Sequence, residues 1–531
     1  MSVRIQVLLA LVGILFNLGV QAAEAGLDQR LRARLVNSTP GAVASAGGQR
    51  LHATAALKRF YLERLYQPVW VSGAGLSRAG RDLLAVLDSA TTHGLRAEDY
   101  HLDAIARLTA QPLSQPGQAV DTELLLADGA LLFASHLVAG RVNPASIDAE
   151  WFAEMRGTDV VAALSAALGE GRLVAAYAQL APQDARYQRL RTALAQWRER
   201  ATAPAVAPIP DGRWLELGQQ GAAVAALRQR LGLAPEPAIF DEHTAQAVRA
   251  FQAEYGLNVD AVVGPQTRQM LNQTPQQVIE RLEVNMERWR WMPQALAARR
   301  VEVNIPAFEL VAFDAPGEAL RMRVIVGREY RRTPVFSDRI RYLVMNPYWE
   351  APHKIVVNDL LPKFQADPGL AERMGFEVLS GWGEQHKQIP LNQVDWRRYS
   401  PKTFGYRLRQ RPGPSNALGR VKFMFPNDFA VYLHDTSAPE LFAQARRTLS
   451  SGCVRVEKPR DLATWLTGTD AAWPDSALQP VDKVVPLAKP VPVHLQYWTA
   501  WVDEGGRLHQ RADVYERDAR VLRALREPAP N

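Results

Sequence analysis

The hydrophobic periodicity of this chain changes near residue 300, and this change requires more than one kind of folded unit. Before it, apolar residues recur at three- and four-residue steps, as in Ala56-Leu57-Phe60-Tyr61-Leu65, which is the spacing of amphipathic helices. From Val301-Glu302-Val303-Asn304-Ile305 onward they alternate, as in strands. A chain of 531 residues is also too long for one hydrophobic core. We therefore predict a multi-domain α+β protein.

Composition shifts mark the domain boundaries. Residues 201–211, ATAPAVAPIPD, form a Pro/Ala linker, which is typical of a connection between folded units. We predict a helical scaffold at 26–200, a small three-helix module at 212–275, a connecting helix at 276–300 and a mainly β domain at 301–525. Helix-like and Gly/Pro-rich pieces interrupt the strand pattern at about 359–418, and we expect an insertion there.

Residues 1–25 have the pattern of a targeting segment. Arg4 precedes an apolar run from Val7 to Leu18, and small residues follow around Ala22 and Ala25. A run this short favours export with cleavage of a signal peptide over retention as a membrane anchor, and both readings stay open. We expect no later stretch to cross a membrane. The mature chain should therefore be extracytoplasmic, in the periplasm.

The composition limits which kinds of partner, disulfide and metal site the chain is expected to have. The apolar share of 47% and charged share of 22% describe an ordinary globular protein, and a net charge of +7 suits acidic partners only weakly at this size. Cys453 is the one cysteine, so an exported chain has no internal disulfide to form. No run of His, Cys and Asp has ligand spacing. We predict neither a metal nor an organic cofactor.

The segment from Phe429 to Leu466 contains Cys453 and brings a histidine into its reach. Phe429 to His434 alternates like a strand with Tyr432 and His434 on one face, a helix is expected near Glu440, and Ser450-Ser451-Gly452-Cys453 makes a small-residue corner. This path returns Cys453 to the end of the strand that carries His434.

A neighbouring imidazolium raises the thiolate fraction of a cysteine, and amide N–H groups near Gly452 and Cys453 are placed to face an oxyanion. The alternative is that Cys453 is a small buried apolar residue and His434 a structural one.

Tyr-x-His, a connecting segment and Ser-x-Gly-Cys-Val-Arg resemble the active-site signature of the L,D-transpeptidase catalytic domain of bacterial cell-wall enzymes. The resemblance implies that Cys453 is the nucleophile, His434 the general base, Gly452 the glycine corner and Arg455 the arginine after the cysteine. Ser451 stands where the wider family usually has histidine. The large periplasmic branch, which has a lid, carries Ser-Ser-Gly-Cys as this chain does, and the insertion resembles that lid.

Other stretches resemble further parts of the same branch. The order Phe240-Asp241-x-x-Thr, Ala-Val-x-x-Phe-Gln and Val263-Gly264-x-x-Thr is similar to the three-helix peptidoglycan-binding module, here either binding the wall or serving as a brace. The string Arg288-Trp289-Arg290-Trp291 resembles the start of the catalytic domain, and we expect a docked helix end rather than a nucleic-acid surface. Trp349 either lines a substrate groove or packs in a core.

The resemblance implies a cysteine L,D-transpeptidase that forms 3→3 peptidoglycan cross-links. Stem peptides would be donor and acceptor, Tyr432 would support the oxyanion or substrate, and carbapenem-type inhibitors would acylate Cys453. Cell-wall synthesis machinery is a candidate partner, and no nucleic acid is expected. An L,D-carboxypeptidase or hydrolase, a transferase that attaches a lipoprotein, and a non-enzymatic wall-binding scaffold remain alternatives.

Overall fold

The structure is a computed structural model that describes residues 26–36, 45–152, 157–315, 317–381, 385–469 and 481–527. The predicted targeting segment, residues 1–25, lies outside these ranges. The described residues confirm the predicted class: helices fill the N-terminal part, and the C-terminal part is mainly β.

The helical scaffold surrounds one long central helix, Pro116–Ala139. Two carboxylates on that helix, Glu123 and Asp128, are fully buried and accept hydrogen bonds from the backbone N–H groups of Val69, Trp70, Val71, His52 and Ala53, which offsets the cost of burying them. The other α-helices are Leu27–Val36, Thr54–Glu63, Arg78–Asp88, Leu102–Thr109, Pro144–Ile147, Val160–Gly169, Leu173–Leu180 and Ala185–Arg200.

The central helix meets the length and hydropathy of a membrane span, contrary to our expectation that no stretch after the targeting segment would. Its most apolar window is 78% buried inside the protein. An apolar helix enclosed by other helices is the centre of a folded core.

The three-helix module consists of Ala222–Arg230, Glu242–Tyr255 and Pro265–Leu271, as predicted. Asp241 caps the second helix, because its side chain accepts from the backbone N–H of Thr244. Ala261 has φ +61°, a left-handed conformation that disfavours any side chain. The sequence pattern therefore predicted this module's helices correctly. The backbone of the module is strained at one alanine.

The connecting helix, Pro275–Arg290, begins with a capping box formed by Thr274 and Gln277. All its residues from Leu282 to Arg290 are buried, and Trp289 stacks on Trp498 with ring centroids 4.8 Å apart. A helix this enclosed leaves no stacking surface for a nucleic acid, which confirms the docked helix end.

The β domain is built on one large sheet that nearly surrounds its own core. Val421–Met424 pairs with Leu433–His434 on one side and with Val335–Met345 on the other, so the sheet closes on itself, which limits its exposed edges. The strands follow one another in the order Val421–Met424, Leu433–His434, Val454–Val456, Gly317–Gly327, Glu309–Asp314, Arg300–Asn304, Lys483–Gln496, Val335–Met345 and Trp151–Phe152.

The last of these strands comes from the helical scaffold, which therefore contributes a short edge strand to the β domain. Thr448–Ser450 pairs with Gly317–Gly327, and Ala500–Val502 with Leu508–Gln510 as the closing hairpin. Helices Pro459–Thr467 and Asp518–Arg526 complete the domain.

The insertion has its own sheet and its own core, which the sequence pattern did not indicate. Its core gathers Phe364, Phe376, Trp396 and Leu408 among others. Its strands are Trp349–Glu350, Phe376–Ser380, Lys387–Ile389 and Arg407–Gln410, and its helical pieces include His353–Ile355, Val356–Leu360, Leu361–Ala366 and Leu370–Arg373. The unit thus begins at Trp349, before the predicted start at 359.

The segment before the Cys453 corner differs from its predicted strand and helix. Only Leu433–His434 pairs as a strand, because Ala430 has φ +52° and the Asn427 side chain bonds the backbone of Phe429 and Val431 into a turn. The predicted helix is a single 3₁₀ turn, Pro439–Ala443. The N–H of Val326 bonds the carbonyl of Arg447, so the following chain runs beside a strand rather than in a helix.

Candidate active site

The corner that carries Cys453 is held by two buried hydroxyl groups. Ser450 Oγ donates to the Cys453 carbonyl at 2.5 Å and accepts from the Gly452 N–H at 3.1 Å. Thr333 Oγ1 donates to the Gly452 carbonyl at 2.7 Å. Both carbonyls are thus satisfied, while the Cys453 N–H has no acceptor among the described residues. An N–H of this kind is a candidate oxyanion donor.

Gly452 is required by its backbone angle rather than by lack of space. Its φ is +123°, whereas a Cβ added there would meet only the Arg332 carbonyl, at 3.6 Å. Only glycine adopts such a φ without strain. The glycine therefore sets the direction in which the chain delivers the next residue, Cys453.

Strand pairing places Cys453 beside Tyr432. Leu433 and His434 pair in parallel with Val454 and Arg455, and the Val454 N–H donates to the Tyr432 carbonyl at 3.1 Å. Cys453, one residue earlier, is half-buried, and its Sγ lies 3.7 Å from the Ala430 carbonyl oxygen. The Cys453 corner therefore adjoins the strand that carries His434.

The surroundings of His434 show which of its ring nitrogens carries the proton. The imidazole is buried, and Nδ1 lies 2.5 Å from the Asp435 carbonyl oxygen. A carbonyl only accepts, so Nδ1 carries the proton and Nε2 keeps a lone pair. Burial, with the charges of Arg455 and Lys422, lowers the pKa of His434 to about 3. The imidazole is thus a neutral base near pH 7.

Burial raises the pKa of the Cys453 thiol, although hydrogen bonds from the Tyr432 N–H and phenol and the charge of Arg455 act in the opposite direction. Among the described residues, the thiol makes no hydrogen bond to the imidazole. The expectation of an imidazolium that enlarges the thiolate fraction is therefore not met. The ligand-free pair is a neutral thiol and a neutral imidazole, which suits proton transfer during attack.

Tyr432 lies between the other two side chains. Its ring is 5.7 Å from that of His434 in an edge-to-face arrangement, which confirms that the two residues share a face, and its phenol contacts the Cys453 sulfur. Burial raises the pKa of Tyr432 above its ordinary range. The hydroxyl is therefore a neutral donor beside the sulfur.

Ser451 connects the corner to the insertion. Arg331 donates to Ser451 Oγ at 3.0 Å and forms a bidentate ion pair with Asp359, a residue of the insertion. A movement of the insertion would thus be felt one residue from Gly452. Sequence reasoning missed Arg331, because its partners are far from it along the chain.

Within the described part of the chain, no contact links Trp349 to this corner. It packs partly buried against the core of the insertion, with its ring 6.0 Å from that of Phe376. Of the two readings left open by the sequence, the structure supports packing.

Two cations flank His434 on the face of the sheet. Lys422 lies opposite His434 in one strand pair, and Arg455 lies opposite it in the next, so the three side chains share a face at the spacing of strands, about 4.8 Å. Sequence reasoning missed Lys422, since only the register brings it to the site. Among the described residues, no group of three or more His, Cys, Asp or Glu is placed to hold a metal ion.

Comparison with known proteins concerns the domains of the chain. Residues 298–493 match the family model of the "L,D-transpeptidase catalytic domain", residues 220–271 that of the "Putative peptidoglycan binding domain", and residues 55–194 that of the "Scaffold domain". The chain therefore carries an L,D-transpeptidase catalytic domain, preceded by a scaffold domain and a peptidoglycan-binding domain. This is the domain family that the sequence resemblance implied.

A Haemophilus influenzae protein named "Putative L,D-transpeptidase" is 36% identical over 249 residues, which cover 46% of this chain and 49% of that protein. The chain thus spans about half the length of the curated relative it matches. An L,D-transpeptidase structure from Xylanimonas cellulosilytica is 18% identical, covering 54% of this chain and 99% of that one, with a TM-score of 0.18. A likeness that weak adds nothing to the assignment.

Proposed function

We propose that this chain is a cysteine L,D-transpeptidase that forms 3→3 peptidoglycan cross-links by acyl transfer. The observation that carries the proposal is the parallel pairing of Leu433–His434 with Val454–Val456, which supports a site in which the thiol lies beside Tyr432 and on the same face of the sheet as the imidazole. The catalytic-domain match supports the reaction class. No metal or cofactor is needed for this chemistry.

The first half-reaction forms a thioester. As Cys453 Sγ attacks the carbonyl carbon of the third residue of a tetrapeptide stem, its proton passes to His434 Nε2. The oxyanion of the tetrahedral intermediate faces the Cys453 N–H and the Tyr432 hydroxyl. Collapse breaks the peptide C–N bond, and the departing D-alanine amine takes the proton back from His434.

The second half-reaction transfers the acyl group. The side-chain amine of a neighbouring diaminopimelate attacks the thioester, His434 Nε2 accepts its proton, and the proton returns to sulfur as the thiolate leaves. Arg455, two residues beyond the nucleophile, contributes positive charge beside the sulfur. Ser451 and Gly452 fix the corner from which the sulfur acts.

The insertion is proposed to act as a lid. A separate core, joined to the corner through Arg331, suits a unit that moves as a body and excludes water from the thioester. Amine transfer rather than hydrolysis depends on this exclusion.

The three-helix module is held against the β domain. Arg511 donates to the carbonyl of Glu254 at 2.5 Å, at the end of the module's second helix. This contact supports a bracing role, and glycan binding by the module stays a prediction.

The peptidoglycan-associated domains indicate an extracytoplasmic location, and we propose the periplasm, reached through the targeting segment. Donor and acceptor stems are the proposed substrates, and cell-wall synthesis machinery is a proposed partner.

The test is to incubate the full chain with disaccharide-tetrapeptides and analyse the fragments by mass spectrometry. We expect 3→3 dimers with release of D-alanine, and neither with Cys453→Ala. Tripeptides without dimers would show a hydrolase instead, and cross-linking by Cys453→Ala would show that the thiol is not the nucleophile. Stems joined by an amide bond to an acceptor protein added to the mixture would show a lipoprotein-attaching transferase.

Intact-mass measurement after exposure to a carbapenem gives an independent check. We expect one covalent adduct on the wild-type chain and none on Cys453→Ala. A wild-type chain that never gains mass would favour the non-enzymatic wall-binding scaffold.

A further inference from the structure

The row formed by Lys422, His434 and Arg455 is not explained by acyl transfer alone. Their chain neighbours on the same three strands point into the core, so the row itself faces the opposite side of the sheet, the side that Cys453 shares with Arg455. These core-facing neighbours are Val421, Phe423, Leu433, Val454 and Val456. Two cations therefore flank one imidazole on the substrate side.

Neither cation has a carboxylate partner within ion-pair distance among the described residues. The Arg455 guanidinium makes no hydrogen bond there, and its Nε is shielded from solvent. Lys422 lies over the Tyr432 ring, 5.9 Å from its centroid. Partly buried charges without partners are costly, and a ligand that supplies the missing anion relieves that cost.

The carboxylates nearest the row are engaged elsewhere. Asp435 accepts from the N–H groups of Arg420 and Thr436, at 2.8 and 2.7 Å. Asp482 accepts from the Tyr348 N–H at 2.9 Å and opposes Lys422 only at longer range. Arg328 adds a further positive charge beside Arg455. The row therefore has an excess of positive charge.

We propose that Lys422 and Arg455 form a clamp for the terminal carboxylate of the donor stem, and that filling this clamp strengthens His434 as the base. The inference rests on the proposed function, because it concerns the donor of that reaction. The terminal carboxylate is only a few bonds from the carbonyl that Cys453 attacks. Arg455 lies about 7 Å along an extended chain from Cys453, within reach of such a group.

The clamp couples donor binding to proton transfer. Positive charge from Arg455 and Lys422 lowers the pKa of His434, after burial, in the ligand-free protein. An anion bound between the two cations offsets that charge and raises the pKa of the imidazole. His434 Nε2 then takes the Cys453 proton more readily as the C–S bond forms.

The carboxylate leaves with D-alanine after the C–N bond breaks and His434 returns the proton to the amine. The clamp is then empty, and the imidazole is again a neutral base for the incoming acceptor amine. Lys422 is thus a positioning and specificity residue for the first half-reaction.

The experiment compares two synthetic donors, a disaccharide-tetrapeptide ending in D-alanine and its D-alaninamide counterpart. Acylation of the full chain is followed by intact mass. Since a hydrogen bond to a charged group contributes about 1.5–3 kcal/mol, the wild type should acylate about 10–100-fold more slowly with the amide. Lys422→Met should lose most of this preference by slowing only with the carboxylate donor, and Lys422→Arg should regain it.

A pH profile separates the clamp from a merely structural lysine. Protonation of His434 removes the base, so raising its pKa moves the acid limb of kcat to higher pH. Between about pH 4 and 8, above the range of an α-carboxyl group, the carboxylate donor should show this limb and the amide donor should not. In Lys422→Met the two profiles should lie much closer together than in the wild type, because only Arg455 remains to hold the carboxylate.

Lys489→Met is the matched control, because it removes one exposed lysine from the same sheet and should keep the wild-type preference. Equal wild-type rates for the two donors would overturn the clamp and leave acyl transfer intact. A preference that persists in Lys422→Met would overturn the role of Lys422. Absence of an adduct with either donor would overturn the proposed function itself.

Discussion

Buried or half-buried cations occur in two regions, the junction between scaffold and β domain and the face that carries His434. The two regions differ in whether those cations have carboxylate partners. At the junction, Arg186 of the scaffold makes a bidentate pair with Glu302 of the β domain at 2.7 and 3.1 Å, and Arg290 pairs with Glu287. On the active face, Lys422 and Arg455 have no such partners among the residues that the structure describes. Paired charges hold two domains in one arrangement, whereas unpaired ones are available to a ligand.

The largest expected effect comes from removing a carboxylate that pairs with the cations at the junction. Glu302→Gln leaves Arg186 and Arg300 without their shared carboxylate, so we expect a loss of about 3–5 kcal/mol in the free energy of unfolding. Urea denaturation followed by tryptophan fluorescence at pH 7 measures it. Glu318→Gln, which removes an exposed pair with Arg321, should cost at most about 1 kcal/mol.

The same pair gives a pH test. Burial acts to raise the pKa of Glu302, but Arg186 and Arg300 lower it to about 2, below its ordinary 4.5. Its contribution is complete above the unfolded-state pKa and is lost as the pH falls from about 4.5 toward 2. The stability difference between wild type and Glu302→Gln should shrink over that window. A difference independent of pH would contradict the assignment.

The next effect belongs to the active face. Tyr432→Phe removes one hydroxyl from the Cys453 sulfur and oxyanion, and we expect acylation by a carbapenem or donor stem to slow about 100-fold with little change in stability. Tyr399→Phe, which removes a hydroxyl from the insertion, is the matched control. Equal acylation rates for the two variants would exclude Tyr432 from the chemistry.

A third test concerns the resting state of the thiol. Because burial raises the pKa of Cys453 and leaves His434 neutral, alkylation of the ligand-free chain by iodoacetamide should keep rising with pH through the alkaline range. A thiolate–imidazolium pair would instead give a rate that is already level near neutral pH. Intact mass against time at each pH distinguishes the two.

The smallest effects compare two alanines in left-handed backbone, Ala430 beside the thiol and Ala261 in the three-helix module. Glycine relieves the strain at either site, so Ala261→Gly should stabilise the chain by about 0.5–1 kcal/mol and leave acylation unchanged. Ala430→Gly relieves similar strain but loosens the carbonyl that Sγ approaches, and acylation should slow. Thermal unfolding and intact mass measure the two effects.

Local patterns were read correctly where short-range physics decides the structure. Phe240-Asp241-x-x-Thr indicated a capped helix, and Asp241 caps it. The alternation at Tyr432 and His434 indicated a shared face, and their rings touch. By contrast, the helix expected after Ser437 is a 3₁₀ turn, because a neighbouring strand bonds the following backbone. Helix propensity depends on the local sequence and therefore does not include a distant strand that competes for the same backbone hydrogen bonds.

The sequence alone determined the order of the domains, the corner at Gly452 and the shared face of Tyr432 and His434, because each depends on residues close together in the chain. Only the tertiary structure decided that Lys422 lies beside His434, that Arg331 joins the insertion to Ser451, and that Glu302 pairs with Arg186. Those contacts depend on strand register and domain packing between distant segments. The interaction between two charges depends on their distance in space, so the tertiary structure decided the protonation state of the site.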